Sequence, residues 1–271
     1  AEIQRWRVRL KNSVATTGYQ LKPSYIEKLT NQLGSILRVA LDNEVIHKNP
    51  MAKIKRRKPK SAKRIVPLDM LTIKSLADGF APRWQILVWI GFFTGMRPSE
   101  VLGLTWDRLD FEKEEITVDR QLSRDGSKVF ADHLKTSKSY RKIPFSPYLQ
   151  KLLVEHVELH GLGPHGLIMQ NRSGNVWRYK DASAMFRLIA RPLGFDKGEG
   201  MHQLRHTCAS VLIKLGNNAK QIQEWLGHES ILETMDTYGH LFPRDLHEVC
   251  ERLDAYVVEQ MEITAERKML A

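Results

Sequence analysis

One stretch of sequence, KIKRRKPKSAKR from Lys53 to Arg64, limits most strongly how this chain can fold. It holds eight basic residues and no acidic one, and it carries most of the +11 net charge of the 271-residue chain. A run of this kind is either a solvated linker or a segment that contacts phosphates of a polyanionic partner. In both cases it separates two folding units.

The residues before this run predict a small helical unit. Apolar residues from Leu21 to Val45 recur at helical spacing, with Ser24 as a start signal, and residues 1–14 also indicate a helix. The predicted apolar face of the longer helix consists of Ile26, Leu29, Leu33, Ile36, Leu37 and Ala40. We assign residues 1–52 to this unit and residues 53–66 to a basic linker.

Residues 67–271 predict a larger unit that is mainly α-helical with a small antiparallel β-sheet, an α+β fold. Helices are expected near 69–77 and 84–93, and the chain after Pro147 is mostly helical. The segments EEITVDRQLS (114–123) and YRKIPFS (140–146) predict neighbouring antiparallel strands, with turns and a candidate third strand between them.

Two function classes find no support in the composition. The longest apolar run, ILVWIGFF (86–93), is far shorter than the roughly 20 residues that cross a bilayer, and no charged-then-apolar leader opens the chain. Cytoplasmic residence is therefore expected. Cys208 and Cys250 lack CxxC spacing, so neither a disulfide framework nor a structural zinc site is indicated.

The segment HQLRHTCAS begins a predicted helix and places His202, Arg205 and His206 on one face. Two histidines at this spacing suggest zinc, but the metalloprotease motif needs a glutamate where Gln203 stands. Taken alone, these side chains would be ordinary polar residues at a helix start.

Three further segments carry candidate functional residues. In TGMRPSEVLGLTW, Arg97 lies between a helix that Gly95 can end and one that Pro98 can begin. In LGHESILETMDTYGHL, His228 follows a helix end and Tyr238 lies near the end of a short helix, while HLKTSKSYRK supplies Lys135. Each residue alone has a simpler interpretation, such as packing, a solvated lysine or a surface ion pair.

Together these side chains predict a specific chemistry. Two arginines, two histidines, a lysine and a tyrosine, without a carboxylate cluster, form a cationic site around a hydroxyl group. Such a set suits a phosphodiester substrate with tyrosine as the nucleophile.

In their order and spacing, the motifs TGMRPSEVLGLTW, KTSKSYRKIP, HQLRHTCAS, LGH and TMDTYGHL resemble those of the tyrosine recombinase family, in its phage-integrase branch. The resemblance implies a core-site DNA-binding domain in residues 1–52 and a catalytic domain with a C-terminal tail helix in residues 67–271. It also implies an enzyme that cuts and rejoins DNA through a 3′-phosphotyrosyl intermediate, integrating or excising a mobile genome.

The resemblance gives each residue a role. The arginines neutralise the phosphoryl oxygens, the lysine protonates the leaving 5′-oxygen, and the first histidine takes the tyrosine proton or bonds the phosphate. The six catalytic residues are Arg97, Lys135, His202, Arg205, His228 and Tyr238, the nucleophile. The supporting residues are Glu100, which braces Arg97, with His206 and His240.

The implied partner is double-stranded DNA. Its backbone would lie along the linker, and contact with about 6 to 10 phosphates would make affinity fall steeply with salt. The linker residues expected at the DNA are Lys53, Lys55, Arg56, Arg57, Lys58, Lys60, Lys63 and Arg64. No metal, ATP or other cofactor is expected, because arginines supply the positive charge and the covalent bond stores the energy.

The resemblance also implies an assembly on DNA. A monomer in solution would form a homo-tetramer on two DNA sites in the bacterial cytoplasm, with DNA-bending accessory proteins as further partners. The amphipathic segment from Arg244 to Ile263 either completes the core or docks on a neighbouring protomer.

Four alternatives stay open at this point. A resolvase-type recombinase or a type IB topoisomerase would use the same chemistry on DNA of different geometry. A catalytically inactive DNA-binding regulator would keep the fold and the linker, although it has no use for all six residues. A metallohydrolase would instead use the two histidines of HQLRH.

Overall fold

The computed structural model describes residues 2–13, 18, 20–52, 54, 65–124, 128–134, 136–196, 198–243 and 246–269. The chain divides into two compact units, Ala1–Lys63 and Arg64–Ala271. All eight basic residues that were predicted to contact DNA, and also Lys135, lie outside the described residues.

The N-terminal unit contains two helices, α1 (Glu2–Asn12) and α2 (Pro23–Asp42), which pack together. Helix α2 begins at Pro23 instead of the predicted Ser24, because proline is preorganised for the first helical position. The predicted apolar face is only partly right, since Thr30 is buried and Ile36 is 64% exposed. Thr30 tolerates burial because its hydroxyl donates to the Ile26 carbonyl (2.7 Å).

The C-terminal unit confirms the predicted fold class. Its helices in chain order are α3 (Met70–Asp78), α4 (Pro82–Thr94), α5 (Pro98–Leu102), α6 (Pro147–His160), α7 (Tyr179–Ala190), α8 (His202–Lys214), α9 (Ala219–Leu226), α10 (Ile231–Tyr238) and α11 (Leu246–Met269). Among the helices of the described ranges, none is long and apolar enough to span a membrane.

Helix α4 lies at the centre of this unit, and α3, α6 and α8 pack against it. From Ile86 to Phe93 all its residues are apolar, as expected for a helix segment that is buried on most sides. Gly91 allows α8 to approach closely, because a Cβ atom at this position would lie 2.8 Å from Leu204 Cδ1. The contact fixes the start of α8 beside the end of α4.

The sheet consists of β1 (Leu109–Asp110), β2 (Glu115–Val118) and β3 (Arg141–Pro144), antiparallel in that order. The two predicted strands are confirmed as neighbours, but they are shorter than predicted. The third strand precedes them instead of lying between them. The reason is local: Asp110 accepts a hydrogen bond from the Lys113 backbone (2.9 Å), which closes a tight turn from β1 into β2.

Helix α11 covers the predicted tail segment. Its described apolar side chains do not complete a core, since Leu253 is 62% exposed, Val257 44% and Met261 70%. Of the two alternatives for this segment, core completion is therefore wrong for these residues.

Candidate active site

Arg97 is held where α4 gives way to α5. Gly95 ends α4 in the left-handed conformation (φ 60°), and Pro98 begins α5 immediately after the arginine. Nη1 of Arg97 donates to Glu100 Oε1 (2.9 Å), and Nη2 donates to the Gly227 carbonyl (3.0 Å). The pairing with Glu100 is no surface ion pair, because that carboxylate is 1% exposed.

Arg205 extends from the first turn of α8 into the interior and is 4% exposed. Its Nη1 donates to the Gly95 carbonyl (2.7 Å), while Nη2 is buried without a hydrogen-bond partner among the described residues. Burial and the charges of Arg97 and Arg141 lower its pKa to about 10, so it stays cationic at neutral pH. A buried unpaired donor is costly, which marks this atom as a binding point for an anionic ligand.

His228 and His202 are neutral at physiological pH. His228 follows Gly227, the left-handed end of α9, and its Nδ1 bonds Thr234 Oγ1 (2.9 Å). Burial, with the nearby charges of Arg205 and Arg97, lowers the pKa of His228 to about 3. His202 is exposed at the surface of the site, yet the protein around it and the charge of Arg205 lower its pKa to about 4. Both imidazoles can therefore exchange hydrogen bonds without adding charge.

Tyr238 ends α10 and is 1% exposed. It belongs to a small apolar cluster between α8, α9 and α10, together with Ile213, Ile222 and Leu226. Burial raises the pKa of its phenol. The ring lies nearly parallel to His228, at 11° with 6.3 Å between centroids.

The phenol oxygen of Tyr238 lies 2.8 Å from Nδ1 of His206. The sequence analysis predicts that His202 takes the tyrosine proton or bonds the phosphate and that His206 has only a supporting role, whereas the structure pairs the hydroxyl with His206. One helical turn separates the two histidines, so sequence spacing alone does not distinguish them. Burial and then Arg205 lower the pKa of His206, which leaves it neutral as well.

The remaining predicted residues fall into two groups. Glu100 lies beside Arg97 as expected, whereas His240 Nε2 lies 3.4 Å from the carbonyl of Ile65, a residue that packs against the apolar cluster of Tyr238. In the part of the chain that the structure describes, no three His, Cys, Asp or Glu side chains group as metal ligands.

One residue of this site was missed. Arg141 at the start of β3 is 6% exposed at its side chain and donates to Glu100 Oε2 (3.0 Å). The signal was present in YRKIP, because strand alternation puts Arg141 on the same face as Ile143, which is fully buried. A cation on the buried face of a strand needs a buried partner.

The arrangement joins two arginine cations, one with an unused donor, to a buried phenol and neutral imidazoles. Such a set can bind a dianionic five-coordinate phosphoryl group and supply a nucleophile. The sequence profile of the phage integrase family matches residues 72–244, which include these side chains. The chain belongs to the phage integrase family.

Proteins similar to this family member include an integrase and a tyrosine recombinase. The ICEBs1 integrase of Bacillus subtilis is 25% identical, and a XerC-like tyrosine recombinase of Caldanaerobacter subterraneus is 27% identical. Each alignment covers 84% of this chain and 65% of the relative. The chain thus spans less than two thirds of the length of these relatives.

Solved structures share the fold of this phage integrase family chain. The Tn1549 transposon integrase, in complex with a circular intermediate DNA, superposes with a TM-score of 0.75 at 23% identity over 92% of this chain and 84% of that one. A lambda integrase dimer bound to a COC′ core site gives 0.58 at 17% identity over 78% and 74%.

Proposed function

We propose that this chain is a site-specific DNA recombinase of the phage-integrase type. The observation that carries the proposal is the unpaired, buried Nη2 of Arg205 in a site that also contains Arg97 and Tyr238. A family profile over residues 72–244 and relatives named as integrases support it.

In the proposed reaction, the phenol oxygen of Tyr238 attacks a DNA phosphorus atom. The new bond joins this oxygen to phosphorus, and the bond from phosphorus to the 5′-oxygen breaks, leaving a 3′-phosphotyrosyl link and a free 5′-hydroxyl. Arg97 and Arg205 balance the charge that grows on the non-bridging oxygens, and His228 adds a hydrogen bond. A 5′-hydroxyl of a partner strand reverses the step, so no ATP is consumed.

Two proton transfers accompany this step. In the proposed step His202 takes the phenol proton, and Lys135, a prediction from sequence alone, protonates the leaving oxygen. A well-placed proton donor contributes roughly 10² to 10⁴-fold in rate. Because the arginines carry the positive charge, the proposal includes no metal ion.

The nucleophile must move before it reacts. At 1% exposure, the phenol of Tyr238 cannot touch a DNA backbone. The proposal therefore includes a displacement of α10 on DNA binding that breaks the contact between Tyr238 and His206. The described arrangement is the resting state.

The proposed substrate is double-stranded DNA at attachment or crossover sites. The Tn1549 integrase complex with a circular intermediate DNA and the lambda integrase complex with a core site support this proposal. We further propose a monomer in solution, a tetramer on DNA and residence in a bacterial cytoplasm, with DNA-bending accessory proteins. A resolvase-type role is the second candidate, favoured by the 27% identity to a XerC-like recombinase.

A nicked DNA half-site tests the reaction, because the cleaved fragment diffuses away and traps a covalent adduct on a denaturing gel. We expect an adduct in excess EDTA that Tyr238→Phe abolishes. Tyr148→Phe, which removes an exposed phenol, is the matched control and should react like the parent. Binding to this DNA without an adduct would overturn the proposal, as would a strict need for magnesium.

A further inference from the structure

Each guanidinium nitrogen of Arg141 already has a partner within the protein, unlike Nη2 of Arg205, so Arg141 is the less suited of the two to contact the substrate. Nε donates to the Trp225 carbonyl (2.9 Å), Nη1 to the Ser139 carbonyl (3.0 Å), and Nη2 to Glu100 Oε2 (3.0 Å). We therefore expect it to act through its neighbours.

Arg97 and Arg141 share the two oxygens of a single carboxylate. Glu100 Oε1 accepts from the Arg97 guanidinium, and Oε2 accepts from Arg141 and from the Arg97 backbone (2.9 Å). Burial of this carboxyl group opposes ionisation, but the charge and hydrogen bond of Arg141, together with the charges of Arg97 and Arg205, outweigh it and lower the pKa of Glu100. Glu100 is thus a buried anion between two cations.

The same segments hold both arginines. Arg97 also donates to Ser139 Oγ (3.2 Å) and to the Gly227 carbonyl (3.0 Å), while Arg141 uses the carbonyls of Ser139 and Trp225. The group therefore contains two positive charges and one negative charge, and one positive charge is left over for a ligand.

From this balance we propose that Arg141 is a positioning residue that neutralises Glu100 and so leaves the charge of Arg97 available for the scissile phosphate. Without Arg141, Arg97 and Glu100 form a neutral pair, and the carboxylate competes with the phosphate for the Arg97 guanidinium. The inference rests on the proposed function and adds a residue to it.

The test measures single-turnover cleavage of the nicked half-site, with DNA affinity measured separately. Arg141→Gln should slow cleavage by about 10² to 10³-fold, the cost of losing an aligned charge at a phosphoryl group, with little change in affinity. Lys142→Gln, the next residue on β3, removes an exposed cation paired with Glu115 and should cleave at the parental rate.

Two rescues distinguish charge balance from a structural role. Glu100→Gln combined with Arg141→Gln removes the anion together with its partner, so it should cleave at least about tenfold faster than Arg141→Gln alone, because Arg97 regains a net charge. A half-site with a neutral methylphosphonate at the scissile position should also narrow the gap between Arg141→Gln and the parent.

The outcomes are separable. If the parent protein forms no adduct, the proposed function fails first. If the parent reacts and Arg141→Gln cleaves normally, or is slow without rescue by either Glu100→Gln or the methylphosphonate, the charge-balancing role is wrong. Arg141→Lys is the control for a folding defect. It keeps the positive charge beside Glu100, so it should cleave faster than Arg141→Gln.

Discussion

At the scale of single residues, the site keeps its histidines and its tyrosine uncharged. His228 is 5% exposed beside Arg205 and Arg97, and Tyr238 is 1% exposed with its phenol on His206. Burial disfavours the charged form of both side chains, the imidazolium ion of His228 and the phenolate ion of Tyr238. The neighbouring arginines disfavour the imidazolium ion further. The arginines therefore carry the positive charge of the described site, and the histidines exchange hydrogen bonds.

This environment predicts a dependence of stability on pH. The pKa of His228 is about 3 in the folded protein and about 6.5 when unfolded, so between about pH 6.5 and pH 3 the unfolded chain binds a proton here that the folded protein does not. The stabilisation is complete above pH 6.5 and is lost as pH falls toward 3, at up to about 1.4 kcal/mol per pH unit.

Urea denaturation between pH 7 and pH 5 measures this effect. We expect His228→Asn to lose less stability on acidification than the parent, by up to about 2 kcal/mol over this range. His133→Asn, at an exposed position, is the control. Parallel pH profiles for the parent and His228→Asn would contradict the prediction.

At the scale of elements, the ends of the helices determine where the side chains of the site lie. Gly227 ends α9 at φ 68°, and a Cβ atom there would lie 2.8 Å from the Lys138 carbonyl and 2.9 Å from Arg141 Cδ. The end of α9 thus packs directly on the segment that leads into β3. This close contact is what places His228 near Arg97.

Gly227→Ala should therefore destabilise the protein by about 2 to 4 kcal/mol, from left-handed strain together with the clash, and should slow cleavage. Gly216→Ala isolates the strain, because Gly216 has φ 88° after α8 and no atom within 4 Å of its Cβ position. It should cost about 1 kcal/mol and leave cleavage unchanged. Equal losses for the two variants would show that the close contact is unimportant.

The elements were predictable where backbone chemistry is local. The sequence predicts helix ends at Gly95 and Gly227 and a helix start at Pro98. In the structure α4 ends at Gly95, α9 ends at Gly227 and α5 begins at Pro98. The pairing of Arg141 with the Trp225 carbonyl was not predictable, because 84 residues separate them and backbone acceptors have no sequence signature. The choice between His202 and His206 as partner of Tyr238 likewise depends on how α10 packs.

At the scale of the whole molecule, α11 presents an apolar face that the described chain leaves uncovered, with Leu253 and Val257 exposed. A second copy of the chain is the occupant that the proposed tetramer supplies. The face would then bury apolar surface only in the assembled complex, where the gain is about 25 cal/mol per Å².

The double substitution Leu253→Glu and Val257→Glu should therefore prevent assembly on full DNA sites, while half-site cleavage continues at the parental rate. Sedimentation of protein–DNA complexes measures the assembly. The control variant carries Glu251→Gln and Glu259→Gln, which change exposed polar positions of the same helix. Normal tetramers with both glutamates present would rule out this face as the docking surface.

The burial of Tyr238 also means that chemical modification of this tyrosine can report when it becomes exposed. Tyr140, Tyr148 and Tyr256 are 49%, 57% and 60% exposed, so a nitrating reagent in solution reaches their rings in the free protein, whereas Tyr238 is shielded at 1%. Nitration of Tyr238 thus requires its side chain to leave the cluster that it forms with residues of α8 and α9. Mass spectrometry of labelled peptides would time that departure after DNA is added, without any strand being cut.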